Sequence, residues 1–185
     1  MTYGALQGGY PASSKWLHWL VAISVVVTIP VALVMVRLGP GPLQDALYNL
    51  HKSLGALIFV LMIARLVNRF VVGAPAPAPG LKRWERAVSS AVHGLLYVLL
   101  VAMAVTGYLA NSAFGATTPF FGLFEIPPII AHNEALSDRL FALHVAMGYL
   151  TALVAGLHIA AAAQHFLIRR DGVVQRMLPR ALGGE

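Results

Sequence analysis

Apolar residues dominate four long stretches of the chain, at roughly 16–36, 47–71, 87–110 and 139–168, and polar positions collect between them. A bilayer core of about 30 Å is crossed by about 20 apolar residues in a helix. Each stretch therefore predicts a transmembrane helix. The expected fold is all-α, an integral membrane four-helix bundle forming one domain over 1–185. The fourth stretch is long enough to tilt or to project beyond the bilayer. Pro30 falls inside the first stretch, where a membrane helix tolerates it better than a soluble one. That stretch also exceeds the apolar run of a signal peptide, about 7–15 residues, and only Lys15 precedes it as a charge, so it is read as retained.

The connections differ. The first, about 38–46, is short and holds Gly-Pro-Gly-Pro at 39–42; the second carries Ala-Pro-Ala-Pro-Ala-Pro at 74–79, a stiff extended segment. The third, 111–138, mixes Phe114, Phe120, Phe121 and Phe124 with Pro119, Pro127 and Pro128. Connections of that length usually bind or cover something, so it is expected to act as a lid or a docking surface.

Charge orients the bundle. Lys15, Arg65, Arg69, Lys82, Arg83, Arg86, Arg169, Arg170, Arg176 and Arg180 fall on one side, against Arg37, Lys52 and Arg139 on the other. Basic residues stay cytoplasmic, so both termini are expected in the cytoplasm and the long third connection outside it. The same division removes nucleic acid as a reading of the pI near 10.1, since no single soluble face gathers the charge. Composition agrees with lipid as solvent: 11% of residues are charged and mean hydropathy is +0.75, where a soluble domain carries about a quarter charged. Cysteine is absent, which excludes disulfides, thiolate zinc sites and cysteine-held iron–sulfur clusters.

Ionisable side chains inside a span suggest function. His18, His51, His93, His144 and His158 lie within the four stretches, His165 near the end of the fourth, and His132 in the third connection. His144 and His158 are 14 residues apart, close to four turns, so they share a helix face with a separation of about 21 Å. His51 enters from the outside at the depth of His144, and His18 from the inside at the depth of His158. Two histidine pairs at two depths suit two haems, each ligated by imidazole from both sides. Gly55 and Gly148, one turn deeper than His51 and His144, offer clearance for a macrocycle or a close helix contact. Ala155, Ala161 and Ala162 flank His158 in the same way. His93 lies near the inner depth too, so depth alone leaves three candidates for two inner positions.

Several segments together resemble the bacterial cytochrome b561 family of di-haem membrane cytochromes, over nearly the whole chain. They are Trp-Leu-His-Trp-Leu at 16–20, Leu-His-Lys-Ser-Leu-Gly at 50–55, Arg-Leu-Val-Asn-Arg at 65–69 and His-Gly-Leu-Leu-Tyr at 93–97. Leu-His at 143–144, Gly-Leu-His-Ile-Ala-Ala-Ala at 156–162 and Arg-Met-Leu-Pro at 176–179 complete the set. The resemblance implies two b-type haems, with His51 and His144 as axial ligands of an outer one and His18 and His158 of an inner one, and so sets His93 aside. It also implies an inner-membrane electron carrier, with ubiquinone as acceptor on the cytoplasmic side and superoxide as donor on the periplasmic side, a superoxide oxidase.

Arg65 lies 14 residues after His51, on the same face at the inner depth. It is expected to meet a haem propionate or the quinone; the alternative is an arginine snorkelling to headgroups. His165, seven residues beyond His158, is placed to meet a quinone carbonyl. The tyrosines and tryptophans, Tyr97, Tyr108, Trp16, Trp19 and Trp84 among them, read as interfacial anchors or packing. One feature sits awkwardly with an anionic donor: Arg37, Lys52 and Arg139 face Asp45, Glu125, Glu134 and Asp138, with no net positive field. The rival readings are a quinol-oxidising cytochrome and a haem-bearing anchor subunit for a larger periplasmic oxidoreductase.

Overall fold

The computed structural model describes residues 9–179; Arg180, one of the basic residues that set the expected orientation, lies outside the described residues. Four helices follow one another: α1 (Ala12–Met35), α2 (Pro42–Val72), α3 (Arg83–Phe114) and α4 (Glu134–Ala163), the last continued by a π-helical segment, Gln164–Arg169. All four are long and apolar enough to cross a membrane. Each reaches beyond its apolar core into the flanking polar residues, because the local signals lie there. Pro42 occupies the first turn of α2, where its missing N–H is not needed. The Glu85 carboxylate accepts from the Lys82 amide at 2.7 Å at the head of α3. The Asn133 side chain accepts from the Leu136 amide at 3.0 Å at the head of α4. α3 ends where Gly115 turns left-handed, φ 90°, and its amide returns to the Ser112 carbonyl.

The third connection is shorter and more ordered than the apolar pattern suggests. It folds into a hairpin of β1 (Thr118–Phe120) and β2 (Phe124–Ile126), antiparallel with Phe120 opposite Phe124. The two rings stack at 5.0 Å. Polar side chains at the helix ends hold this segment down. Ser53 of α2 donates to the Pro119 carbonyl at 3.0 Å and accepts from the Phe121 amide at 3.0 Å. Asn111 donates to the Ala116 and Thr117 carbonyls. The Ser112 hydroxyl accepts from the Ile129 and Ile130 amides, and the Tyr108 hydroxyl donates to the Pro127 carbonyl, so Tyr108 is a tether rather than a free interfacial ring.

α1 packs on α2, α2 on α3 and α3 on α4, whereas α4 makes no broad contact with α1 or α2. The apolar core, Val21, Val25, Ile58 and Met62 with Tyr97, Leu100 and Val101 against it, joins α1, α2 and α3 at mid-depth. Large apolar residues such as Ile23, Val60, Val98 and Leu153 point away from the chain, as a lipid-facing surface requires. At the end opposite the hairpin, residues 171–179 fold back across the bundle. Trp19 Nε1 donates to the Met177 carbonyl at 3.0 Å, the Tyr10 amide to the Arg176 carbonyl at 3.0 Å, and Arg176 to the Ala76 carbonyl at 2.7 Å.

Candidate functional site

α4 runs unbroken through both of its span histidines, so it presents His144 at the hairpin end and His158 about 21 Å away. His51 of α2 faces His144 with ring centres 6.1 Å apart. His18 of α1 faces His158 at 6.3 Å. His93 of α3 is nearer still to His158, at 5.2 Å. Depth therefore brings together the five histidines singled out above, three of them at one end.

Spacing separates the three. With metal–nitrogen bonds of about 2 Å, and each nitrogen about 1 Å from its ring centre, two imidazoles on opposite sides of one metal have centres about 6 Å apart. The His51–His144 and His18–His158 separations match, and the His93–His158 separation is too short. His93 is also exposed, with Ser89 Oγ at 3.5 Å as its hydrogen-bonding neighbour. Both matching pairs bridge α4 to a helix it does not otherwise pack against. The helices are thus set apart where the histidines face each other.

The His144 ring is fixed by α3. Its Nδ1 lies 3.0 Å from the Met103 carbonyl and 3.4 Å from Thr106 Oγ1. Donation from Nδ1 to the carbonyl leaves Nε2 with its lone pair for a metal. Gly107 permits this approach, since a Cβ there would lie 2.8 Å from His144 Cε1. Apolar patterning offers no signal for Gly107. The His51 ring lies against the Thr28 backbone, with its Nδ1 buried and lacking a well-formed hydrogen bond. At Gly55 a Cβ would meet nothing within 4 Å, and at Gly148 only Met103 Cε at 3.5 Å. Helix-to-helix crowding thus does not demand either glycine, whereas both lie one turn from a paired histidine. The donor set also suits haem, whose porphyrin leaves iron two axial positions for imidazole. Among the described residues, no cluster of three or more His, Cys, Asp or Glu side chains is arranged to hold a bare ion.

Arg65 does not snorkel outwards. Its Nε donates to Tyr97 Oη at 2.9 Å and its guanidinium lies 5.4 Å from the Tyr97 ring centre. Nη1 is buried with no partner among the described residues. The charge acts electrostatically on His18, His93 and His158. A buried cation with a spare donor beside the His18–His158 pair is fitted to an anionic group such as a propionate. Tyr97, read from the sequence as packing, is its holder.

His165 stands in the π-helical segment, a form that often marks functional positions. Its Nδ1 is 2.7 Å from Asp171 Oδ2. Arg169 Nε is 3.3 Å from the same oxygen, and Arg169 Nη1 2.7 Å from Glu85 Oε1. Partial burial works against the Asp171 charge, but the His165 hydrogen bond, the Val173 amide and the charges of His165 and Arg169 outweigh it and hold the carboxyl below its usual range. An acid directly after two arginines was the only sequence hint of Asp171.

Comparison with known proteins identifies the family. A family model described as prokaryotic cytochrome b561 matches residues 9–180. The chain is 32% identical to cytochrome b561 homolog 2 of Escherichia coli (strain K12), covering 93% of this chain and 92% of the relative. It is 25% identical to cytochrome b561 homolog 1 of the same organism, covering 89% and 94%. It is 27% identical to the probable superoxide oxidase CybB of Yersinia pestis, covering 98% of each. With four membrane-spanning helices and facing histidines that fit haem, the chain belongs to the prokaryotic cytochrome b561 family, multi-pass inner-membrane oxidoreductases that carry electrons on b-type haem.

Proposed function

We propose that this protein is a single-domain di-haem cytochrome that passes electrons from superoxide at the periplasmic face to ubiquinone near the cytoplasmic face. His51 and His144 would hold one b-type haem through their imidazole nitrogens, and His18 and His158 a second. The observation that carries the reading is the pair of ring separations, 6.1 and 6.3 Å, at opposite ends of one helix. The hairpin end faces the periplasm and both termini the cytoplasm, in keeping with the basic residues gathered at the latter. The haems supply one-electron chemistry; the chain supplies ligands, spacing and the two ends. Two superoxide ions yield two oxygen molecules and two electrons, and one quinone takes two electrons and two protons to become quinol. Arg65, braced by Tyr97, would hold a propionate at the inner position, and His165 would meet the quinone. Superoxide as donor draws support from the relative described as a probable superoxide oxidase.

A second reading, an anchor subunit for a larger periplasmic oxidoreductase, draws on the hairpin end. Leu123, Phe124 and Ile129 are exposed there, outside the spans, as a docking surface would be. Rapid mixing of the purified, oxidised protein with superoxide decides between them. The expected result is reduction of both haems, two low-spin haems per chain, faster than superoxide decays on its own, and loss of that reaction in His51→Ala or His144→Ala. Reduction no faster than spontaneous decay, in a preparation free of partners, refutes the superoxide reading.

A further inference from the structure

We propose that Asp171 is the positioning residue of the quinone site, holding the His165 ring so that Nε2 is turned to the quinone oxygen. The inference rests on the reading of His165 as the quinone-facing residue and names what makes it effective. Three features meet at this point. The Nδ1–Asp171 contact is short, 2.7 Å. The ring lies in a π-helical segment rather than a regular helix, which shifts its direction from that of the preceding turn. Among the described residues His165 makes no other hydrogen bond, so Nε2 is its free nitrogen.

Asp171 itself is fixed from two further sides. Arg169 reaches it at 3.3 Å and is in turn held by Glu85 at the head of α3. The Val173 amide donates to its other oxygen at 3.3 Å. Asp171 also begins the segment that returns across the bundle to Trp19 and Tyr10, beside His18. The carboxylate thus stands on a frame built from α1, α3 and α4. A ring that donates Nδ1–H to a fixed carboxylate keeps one tautomer and one orientation. When Nε2 also carries a proton, the carboxylate balances the imidazolium. Nε2–H then breaks to give its proton to one quinone oxygen as the quinone takes two electrons from the cytochrome. His165 recovers that proton from water at the cytoplasmic face, and the second quinone oxygen takes its proton from water.

The test uses the purified holoprotein, reduced with dithionite and mixed anaerobically with a short-chain ubiquinone, so that no superoxide step is involved. Asp171→Asn is expected to slow haem reoxidation about 10- to 100-fold, the usual cost of removing an outer partner of a functional histidine, with haem spectra unchanged. Asp171→Glu restores part of the rate. Arg86→Gln, which removes a charge at the head of α3 where the side chain meets the Leu81 carbonyl and neither the ring nor the carboxylate, stays within about threefold of wild type. Independently of turnover, nitrogen NMR of imidazole-labelled wild-type protein should show His165 protonated at Nδ1, and Asp171→Asn should lose that signature. Wild-type reoxidation in Asp171→Asn overturns the proposal, as does an equal loss in Arg86→Gln, which would mark a general effect of charge at this end of the bundle. If Asp171→Asn yields no holoprotein, the wild-type NMR tautomer and the Asp171→Glu and Arg86→Gln rates decide it. Unimpaired reoxidation of His165→Ala sinks the quinone site itself and this inference with it. A slow His165→Ala beside a normal Asp171→Asn sinks the inference alone.

Discussion

Gly107→Ala is the most exposing perturbation of the hairpin-end site, because it adds one carbon where the structure leaves no space. An ideal Cβ at 107 lies 2.8 Å from His144 Cε1 and 3.1 Å from Nδ1. Carbon atoms rest at about 3.5–4.0 Å, so the ring has to retreat from α3 by about 0.7 Å at the least. The same retreat stretches the Nδ1 contact with the Met103 carbonyl, now 3.0 Å, past the limit of a good hydrogen bond. Losing that bond costs about 0.5–1.5 kcal/mol and overpacking about 1–3 kcal/mol, while alanine returns about 0.8–1.0 kcal/mol of helix propensity. The net loss is about 0.5–3.7 kcal/mol, modest for the fold over most of that range. Its effect on the site is sharper, since the retreat displaces the ring and frees its orientation. Absorption spectra and a potentiometric titration should show the haem at His51 and His144 altered or lost, with the one at His18 and His158 unchanged. Gly94→Ala, where a Cβ meets nothing within 4 Å, is the control and should titrate as wild type. Two unshifted low-spin signals in Gly107→Ala would refute the assignment of His144 as a ligand fixed by α3.

Three further expectations follow from the same geometry. His93→Ala should keep both low-spin signals, because its 5.2 Å approach to His158 is too close for a shared metal; loss of the inner signal in an absorption spectrum would put His93 in place of His18. Glu125→Gln should raise the second-order rate of reduction by superoxide, because Glu125 offsets the Lys52 charge beside His51; a stopped-flow rate indifferent to this change and to salt would remove electrostatic guidance. Asp171, held below the usual carboxylate range, contributes stability that is present above its unfolded value near about pH 4 and is lost only as pH falls through the lower folded value; hydrogen exchange at the Met177 amide should therefore show equal protection at pH 5 and 7, once corrected for intrinsic rates, and reduced protection at both in Asp171→Asn.

The four spans were legible because lipid enforces them: a helix that must satisfy its own backbone in hydrocarbon needs a continuous apolar run, and a run of twenty residues is hard to mistake. Depth was legible for the same reason, since a fixed rise per residue turns sequence number into height. That is why the facing partners of His144 and His158 could be anticipated from spacing, and why it could not choose between His18 and His93. Height carries no lateral information, and the choice depends on ångström-scale ring separations set by which helices pack and which stand apart. The features that escaped the sequence share one character. Gly107, the Met103 carbonyl, Tyr97 as the brace of Arg65, and Ser53 under the hairpin all act from one element onto another, where neither periodicity nor hydropathy speaks. The hairpin escaped for a different reason. Its strands are three residues each, too short for alternation to stand out, and they are held by hydroxyls and an amide at the helix ends rather than by an apolar face of their own. In a membrane bundle, then, the solvent writes the architecture into composition, while the chemistry of the site rests on a few polar contacts between helices. Those contacts are where substitution reads most directly on function, because the surrounding apolar surface tolerates exchange and a buried donor without its acceptor does not.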